Sequence, residues 1–107
     1  MAIRISVAND FTMTPGGRLI KEGPFSGEAF REEILLPAFL RALEDKEKLI
    51  VDLDGGYGYG SSFLDESFGG LARKLRDPQV LSIEIVSQEE PELIDKIHLY
   101  MEEGLKE

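Results

Sequence analysis

Two aspartates and two serines lie close together in the stretch "VDLDGGYGYGSS", residues 51–62. Carboxylates spaced like Asp52 and Asp54 can act as nucleophile and as acid–base catalyst on a phosphate ester, with Mg²⁺ offsetting the accumulated negative charge. Hydroxyls placed like Ser61 and Ser62, just before a helix, can cap that helix or accept a phosphate. The stretch therefore indicates either an enzyme's nucleophile or a pair of regulatory serines.

The two aspartates have an enzymatic and a structural interpretation. "VDLDGG" resembles the first motif of the haloacid-dehalogenase phosphatases, and Ser87 and Lys96 would then stand for that family's later motifs. Gly56 departs from the threonine or valine usual there, and no strand remains to carry a further acidic pair for the metal. Alternatively, Asp52 and Asp54 end a strand and cap a loop. Short motifs match by chance often enough that the phosphatase is the less favoured interpretation.

The loop that follows is built on glycines and gives a second alternative, a sensor of a nucleotide or another small ligand. It lacks the lysine of a P-loop and the G-x-G-x-x-G spacing, and His98, the only histidine, lies far along the chain. Ser62 and Asp65 have the spacing of a capping box, and Ser61 lies at the positive end of the helix dipole. Ser61 and Ser62 are therefore the phosphorylation candidates, with the alternative, favoured by spacing alone, that both serines only cap the helix. The loop glycines are Gly55, Gly56, Gly58 and Gly60.

The elements that would position this loop are strands alternating with helices. "IRISVAN", "KLIVDL" and "VLSIEIVS" (residues 80–87) predict strands, and "TPGG" predicts a turn into a short hairpin strand at 18–21. The order ββαβαβα predicts a small α/β domain with a mixed four-stranded sheet, in which the hairpin adds an antiparallel edge.

Three helices are predicted, over 27–45, over 62–76 and from Pro91 onward. Ser26 is the expected N-cap of the first helix, and Pro37 is expected to distort it because proline lacks an amide hydrogen. Its inward-facing positions are Phe30, Ile34, Phe39, Leu40 and Leu43; those of the second helix are Leu64, Phe68, Leu71 and Leu75; those of the third are Leu93, Ile94, Ile97 and Met101.

Composition limits the functional classes. At 107 residues the chain is expected to form one domain, residues 1–107, and the absence of cysteine suits a cytoplasmic location. The formal net charge is −9, with eight acidic residues and two lysines between positions 84 and 107. Such a surface repels phosphate backbones, so we expect no nucleic-acid partner, and no apolar stretch predicts a membrane partner.

Two longer segments, "FSGEAFREEILLPAFL" and "DLDGGYGYGSSFLDESFGGLAR", resemble the STAS-like proteins grouped as DUF4325. These are related in fold to the STAS-domain anti-sigma factor antagonists of bacteria. In the antagonists a segment reading roughly Asp-Ser-Ser-Gly-Leu follows the central strand, and a GHKL-type ATPase phosphorylates its first serine. Aligned without gaps, that serine falls on Ser61, the second on Ser62 and the leucine on Leu64, while Gly60 replaces the aspartate and Phe63 the glycine.

The resemblance implies a non-catalytic, bacterial signalling module that binds a protein partner, without catalytic residues, metal or cofactor. The partner would be a kinase of the GHKL ATPase type, and Ser61 the regulatory acceptor. The expected partner contacts are Tyr57, Tyr59, Phe63, Asp65 and Glu66, with the alternative that one or both tyrosines fold back over the sheet edge.

Overall fold

The computed structural model describes residues 2–107, which contain one sheet of three parallel strands. The strands are β1 (Ala2–Ser6), β2 (Lys48–Asp52) and β3 (Glu84–Val86), with β2 in the centre. This is the small α/β architecture predicted from the alternation of strands and helices, without the predicted antiparallel edge.

One face of the sheet forms the floor of the core. In the parallel register Ile5 lies beside Val51, and Val51 beside Ile85, and all three side chains are buried. The alternate residues point the other way, where an ion pair of 2.7 Å joins Lys48 Nζ on β2 to Glu84 Oε1 on β3. The helices therefore pack on a single apolar face, as the alternation of side chains along a strand dictates.

Four helices and two 3₁₀ turns connect and cover the strands. A one-turn helix, α1 (Val7–Asp10), follows β1, and the last helix, α4 (Glu92–Lys106), follows β3. Helix α2 spans residues 27–45 and helix α3 spans residues 61–75. The 3₁₀ turns are Ile20–Glu22 and Pro78–Ser82. None of the helices among residues 2–107 has the length and apolar character needed to cross a membrane.

Each of the two long crossover helices contains a π-helical segment. Helix α2 consists of Gly27–Phe30, the π segment Arg31–Leu35, and Leu36–Asp45. Helix α3 consists of Ser61–Leu64, the π segment Asp65–Gly69, and Gly70–Leu75.

The prediction for the start of α2 is confirmed, because the Ser26 hydroxyl accepts the amide hydrogen of Ala29 at 3.1 Å. The π segment lies just before Pro37, where the missing amide and the bulk of the ring disturb the α-helical pattern. Leu40 is 47% exposed, so its predicted burial is wrong, because Phe39 faces the core here.

The predicted hairpin strand at 18–21 is wrong. The Glu22 carboxylate accepts the amide hydrogens of Arg18 and Leu19 at 3.1 and 2.7 Å, and the Glu28 carboxylate accepts that of Ile20 at 2.9 Å. These amides are therefore satisfied by acidic side chains and not by a neighbouring strand, since every buried or ordered amide needs one partner.

The third strand is shorter than predicted. Residues 78–82 form a 3₁₀ turn because the Asp77 carboxylate accepts the Gln79 amide hydrogen at 2.9 Å and the Ser82 hydroxyl donates to the Gln79 carbonyl at 2.6 Å. The helix predicted from Pro91 is present and begins at Glu92.

Candidate functional site

The paired serines lie in the first turn of α3. Gly60 is the N-cap, with φ −78° and ψ 151°, and Ser61 and Ser62 are the first two helical residues, both exposed. The predicted capping box of Ser62 and Asp65 is wrong: no side chain among residues 2–107 caps this end. A Ser62 cap would need the helix to begin at residue 63, but it begins two residues earlier, so both serines lie inside its first turn and are exposed.

Of the two loop tyrosines, Tyr57 points into solvent. Its side chain is 83% exposed, while its amide hydrogen is donated to the Met13 carbonyl at 2.9 Å. Gly55 and Gly58 have φ of +96° and +130°, which favour glycine, and the Gly55 amide donates to the Glu89 carboxylate at 2.9 Å. The backbone that carries the Tyr57 ring is thus held on both sides of the loop.

Tyr59 folds back over the sheet edge. Its hydroxyl donates to the Leu53 carbonyl at 2.8 Å, and its ring centroid lies 6.0 Å from that of Phe63. Burial raises the pKa of Tyr59, and the negative charges of Asp52 and Asp54 raise it further. Tyr59 therefore supports the loop, and Tyr57 is the tyrosine that can contact a partner.

Phe63 belongs to the core, and its predicted role as a partner contact is wrong. The side chain is 1% exposed and its ring lies within 6.5 Å, between centroids, of Phe11, Phe30 and Tyr59. In the antagonist pattern this position is glycine. Here the larger ring fixes the start of α3 on the core, so the adjacent serines are held on a rigid turn.

Asp65 and Glu66 hold α3 to the segment before α2. Arg18 Nη1 lies 2.8 Å from Asp65 Oδ2 and 3.4 Å from Glu66 Oε1. Arg73 reaches the other oxygen of Asp65 at 3.3 Å, and Arg31 reaches Glu66 at 2.6 Å. Burial raises the pKa of Asp65, but its arginine partners outweigh burial and leave the pKa lowered. Both expected partner contacts are thus engaged within the chain.

A cavity of about 490 Å³ opens beside the serines. Its lining residues are Pro15, Gly16, Gly17, Arg18, Glu22, Gly60, Ser61, Ser62 and Phe63. Of the four loop glycines predicted to form a cradle, Gly60 lines it, whereas Gly55, Gly56 and Gly58 do not. The other wall comes from residues 15–22, part of which was predicted to be a hairpin strand, and this wall includes Arg18.

The strand-end aspartates cap loops. Asp54 accepts the amide hydrogens of Glu89 and Gln88, each at 3.0 Å, and these bonds lower its pKa. Asp52 accepts from Arg4 at 3.0 Å and from the Asp54 amide at 2.9 Å. Within residues 2–107, no three His, Cys, Asp or Glu side chains are grouped so that they could hold a metal ion. The structure thus favours the loop-capping interpretation of the two carboxylates.

Of the other two residues matched to the phosphatase motifs, Ser87 closes a turn and Lys96 lies on an exposed helix surface. The Ser87 side chain is buried, and its hydroxyl donates to the Glu90 carbonyl at 2.8 Å, which closes the turn after β3. Lys96 is exposed on α4, and His98 is half-buried on the same helix.

Comparisons with curated proteins and with solved structures found no match. A family model described as a STAS-like domain of unknown function (DUF4325) matches residues 26–91, which is more than half of the chain. The matched segment includes α2, β2, the loop with Tyr57, both serines, α3 and β3; Met13 and Arg18 lie outside it. The chain belongs to this STAS-like family, DUF4325.

Proposed function

We propose that the chain is a non-catalytic regulatory module that binds a protein partner through the loop at 55–60 and the first turn of α3. The expected partner is an ATPase of the GHKL type, which would also phosphorylate the turn. The family is STAS-like, and the antagonists to which that fold is related act by switching partners in this way.

The observation that carries the proposal is the exposure of Tyr57. An aromatic ring that is 83% exposed on a backbone fixed by hydrogen bonds loses little entropy when a partner covers it. Met13, 50% exposed, lies next to it, since its carbonyl accepts the Tyr57 amide hydrogen. Exposed aromatic and methionine side chains of this kind are enriched in protein interfaces.

The charges around the loop indicate the chemistry of the partner surface. The carboxylates of Asp52, Asp54, Glu89 and Glu90 all lie near enough to Tyr59 for their charges to raise its pKa. A basic partner surface would complement them, and attraction between opposite charges speeds association and fixes orientation.

Phosphorylation would alter this surface directly. Transfer of the γ-phosphoryl group of ATP to a serine Oγ forms one P–O bond and breaks another, releasing ADP and the hydroxyl proton. The product adds roughly 1.5 to 2 negative charges beside the Tyr57 contact. Enclosing that charge in an interface has a high desolvation cost, so the modified module would release its partner.

The test first looks for a GHKL-type ATPase among the products of the neighbouring genes, then incubates it with the chain and ATP, measures intact mass, and measures binding by calorimetry. We expect Tyr57→Ala to weaken binding about tenfold or more, as expected for a hot-spot aromatic, and Tyr57→Phe to bind like the wild type. Ser61→Asp should weaken binding and Ser61→Ala should not. Equal affinities for wild type, Tyr57→Ala and Ser61→Asp would contradict the proposal.

A second candidate, a small-ligand sensor, is favoured by the cavity. Its volume of about 490 Å³ is in the range of ligand sites, and its wall includes one guanidinium group and two hydroxyls. A nucleotide at 100 times its dissociation constant would stabilise the chain by about 2.7 kcal/mol, detected as a rise in Tm. The rise should be lost in Arg18→Gln, whereas a module that binds only proteins shows no rise at all.

A further inference from the structure

The two serines differ in their relation to Arg18. Arg18 contacts Asp65 and Glu66, so it lies along the helix direction between these two residues. Counted at about 100° per residue through the α-helical turn Ser61–Leu64, and slightly less into the π segment, that direction is much closer to Ser62 than to Ser61. Ser62 is also three and four residues before the two carboxylates, the spacing at which helical side chains are neighbours.

Arg18 has unpaired hydrogen-bond donors among the described residues. Both of its ion pairs use Nη1, and Nε and Nη2 donate no hydrogen bond to any group of residues 2–107. The side chain is 39% exposed and lines the same cavity as Ser62. The Nε–Nη2 edge of a guanidinium group presents two parallel N–H groups, which match two oxygens of a phosphate.

From this geometry we propose that Arg18 binds a phosphate on Ser62, and that a phosphate on Ser61, which lines the same cavity but projects in another helix direction, stays unpaired with Arg18. The proposal rests on the proposed modification of this turn and assigns the two hydroxyls different roles. Phosphate at Ser62 fastens the segment before α2 to α3 and has its charge partly neutralised. Phosphate at Ser61 adds its full charge to the partner-facing surface.

The test compares two full-length chains, one with phosphoserine encoded at position 62 and one with it at position 61. Phosphorus NMR titration should give phosphoserine 62 a second pKa lower by about 0.5 or more than that of phosphoserine 61, because the two-donor contact with Arg18 favours the dianion more than the nearby carboxylates of Asp65, Glu66 and Glu22 oppose it. The nitrogen NMR signal of Arg18 Nε–H should move only in the chain modified at Ser62.

Two variants of Arg18 make the comparison specific. Arg18→Gln should abolish the difference between the two phosphoserine pKa values, and Arg18→Lys, which keeps the charge without the two-donor edge, should preserve only part of it. If Arg18→Gln does not fold, the Nε–H signal of Arg18 in the two phosphoserine chains still shows whether Arg18 contacts the phosphate on Ser62. Equal pKa values, or an Nε–H shift caused by phosphoserine 61, would overturn the proposal.

No kinase or partner is used in this experiment. Failure of the chain to bind a GHKL-type ATPase would therefore leave its outcome unchanged. Conversely, if the second pKa of phosphoserine 62 does not depend on Arg18, the distinction between the serines is lost, but the proposed interface at Tyr57 is not affected.

Discussion

Replacing Gly27 with alanine tests the contact that positions the serine-bearing helix. Gly27 is the first residue of α2 and is buried against the first turns of α3. A Cβ atom added there would lie 2.5 Å from the Phe63 carbonyl oxygen and 2.9 Å from Glu66 Cβ. Phe63 immediately follows Ser62, so any separation of the two helices displaces the candidate site.

The cost follows from the size of the overlap. An ordinary Cβ–oxygen contact begins near 3.4 Å, so backbone must retreat from backbone by close to an ångström. Overpacking of this kind costs about 1–3 kcal/mol, and the better helix propensity of alanine returns at most about 1 kcal/mol. From the middle of the first range, about 2 kcal/mol, less a return of at most about 1 kcal/mol, we expect a net loss of about 1–2 kcal/mol, which lowers the urea midpoint by about 0.5–1 M for a chain of this size.

The assay is urea unfolding followed by far-UV circular dichroism, with Gly16→Ala as the matched control. Apart from its two chain neighbours, a Cβ at Gly16 would meet no atom of residues 2–107 within 4 Å, and Gly16 is not among the positive-φ residues. The control should be unchanged or more stable by a few tenths of a kcal/mol. A Gly27→Ala midpoint equal to that of the wild type, with an unchanged slope, would refute the packing described for α2 and α3.

Three further predictions concern the loop and its acids. Tyr59→Phe should lower the free energy of unfolding by about 1 kcal/mol because it removes the hydroxyl's 2.8 Å hydrogen bond, whereas Tyr57→Phe should leave it unchanged; equal urea midpoints would contradict this. Gly60→Asp should raise the free energy of unfolding by a few tenths of a kcal/mol, seen as a slight rise in Tm, because the N-cap has open space for a Cβ and gains a hydrogen-bond acceptor. A fall in Tm would show that the cap is misassigned. The lowered pKa values of Asp54 and Asp65 stabilise the fold above their unfolded pKa of about 3.9, and this contribution is lost as pH falls through the lower folded values. Urea midpoints should therefore drop steeply below about pH 4, and less so in Asp65→Asn; identical pH profiles would be the contrary result.

Periodicity predicted the elements that the core determines. The alternation of Ile3 and Ile5 marks β1, which ends before Val7, and the spacing of Leu64, Phe68 and Leu71 marks the buried face of α3. These patterns can be recognised from the sequence because each one arises within a few residues of chain. The family resemblance, stated from the segments around "DLDGGYGYGSS", is confirmed by the match over residues 26–91.

The predictions that failed depended on choices between competing hydrogen bonds. The glycine pair before Arg18 suits a hairpin equally well, but the carboxylates of Glu22 and Glu28 take the amides that a strand would use. The capping box failed by two residues, because it needs Ser62 as the N-cap, whereas the helix begins at Ser61 and the N-cap position falls on Gly60. Local spacing does not rank such alternatives.

Arg18 was missed for a different reason. Its carboxylate partners are 47 and 48 residues away in the chain, so no periodicity or spacing connects them. The approach of α2 to α3 at Gly27, whose amide hydrogen is donated to the Gly17 carbonyl at 3.0 Å, brings the guanidinium group onto Asp65 and Glu66.

The family match therefore covers most of the candidate site but not Arg18. Residues 26–91 supply the serines, Tyr57 and the carboxylates Asp65 and Glu66, while Arg18, which pairs with those carboxylates, lies before residue 26. A phosphate on Ser62 thus depends on a residue outside the matched segment, and one on Ser61 does not. It follows that partner release through Ser61 should survive loss of the Arg18 guanidinium group, so the effect of Ser61→Asp on binding should be the same in an Arg18→Lys background.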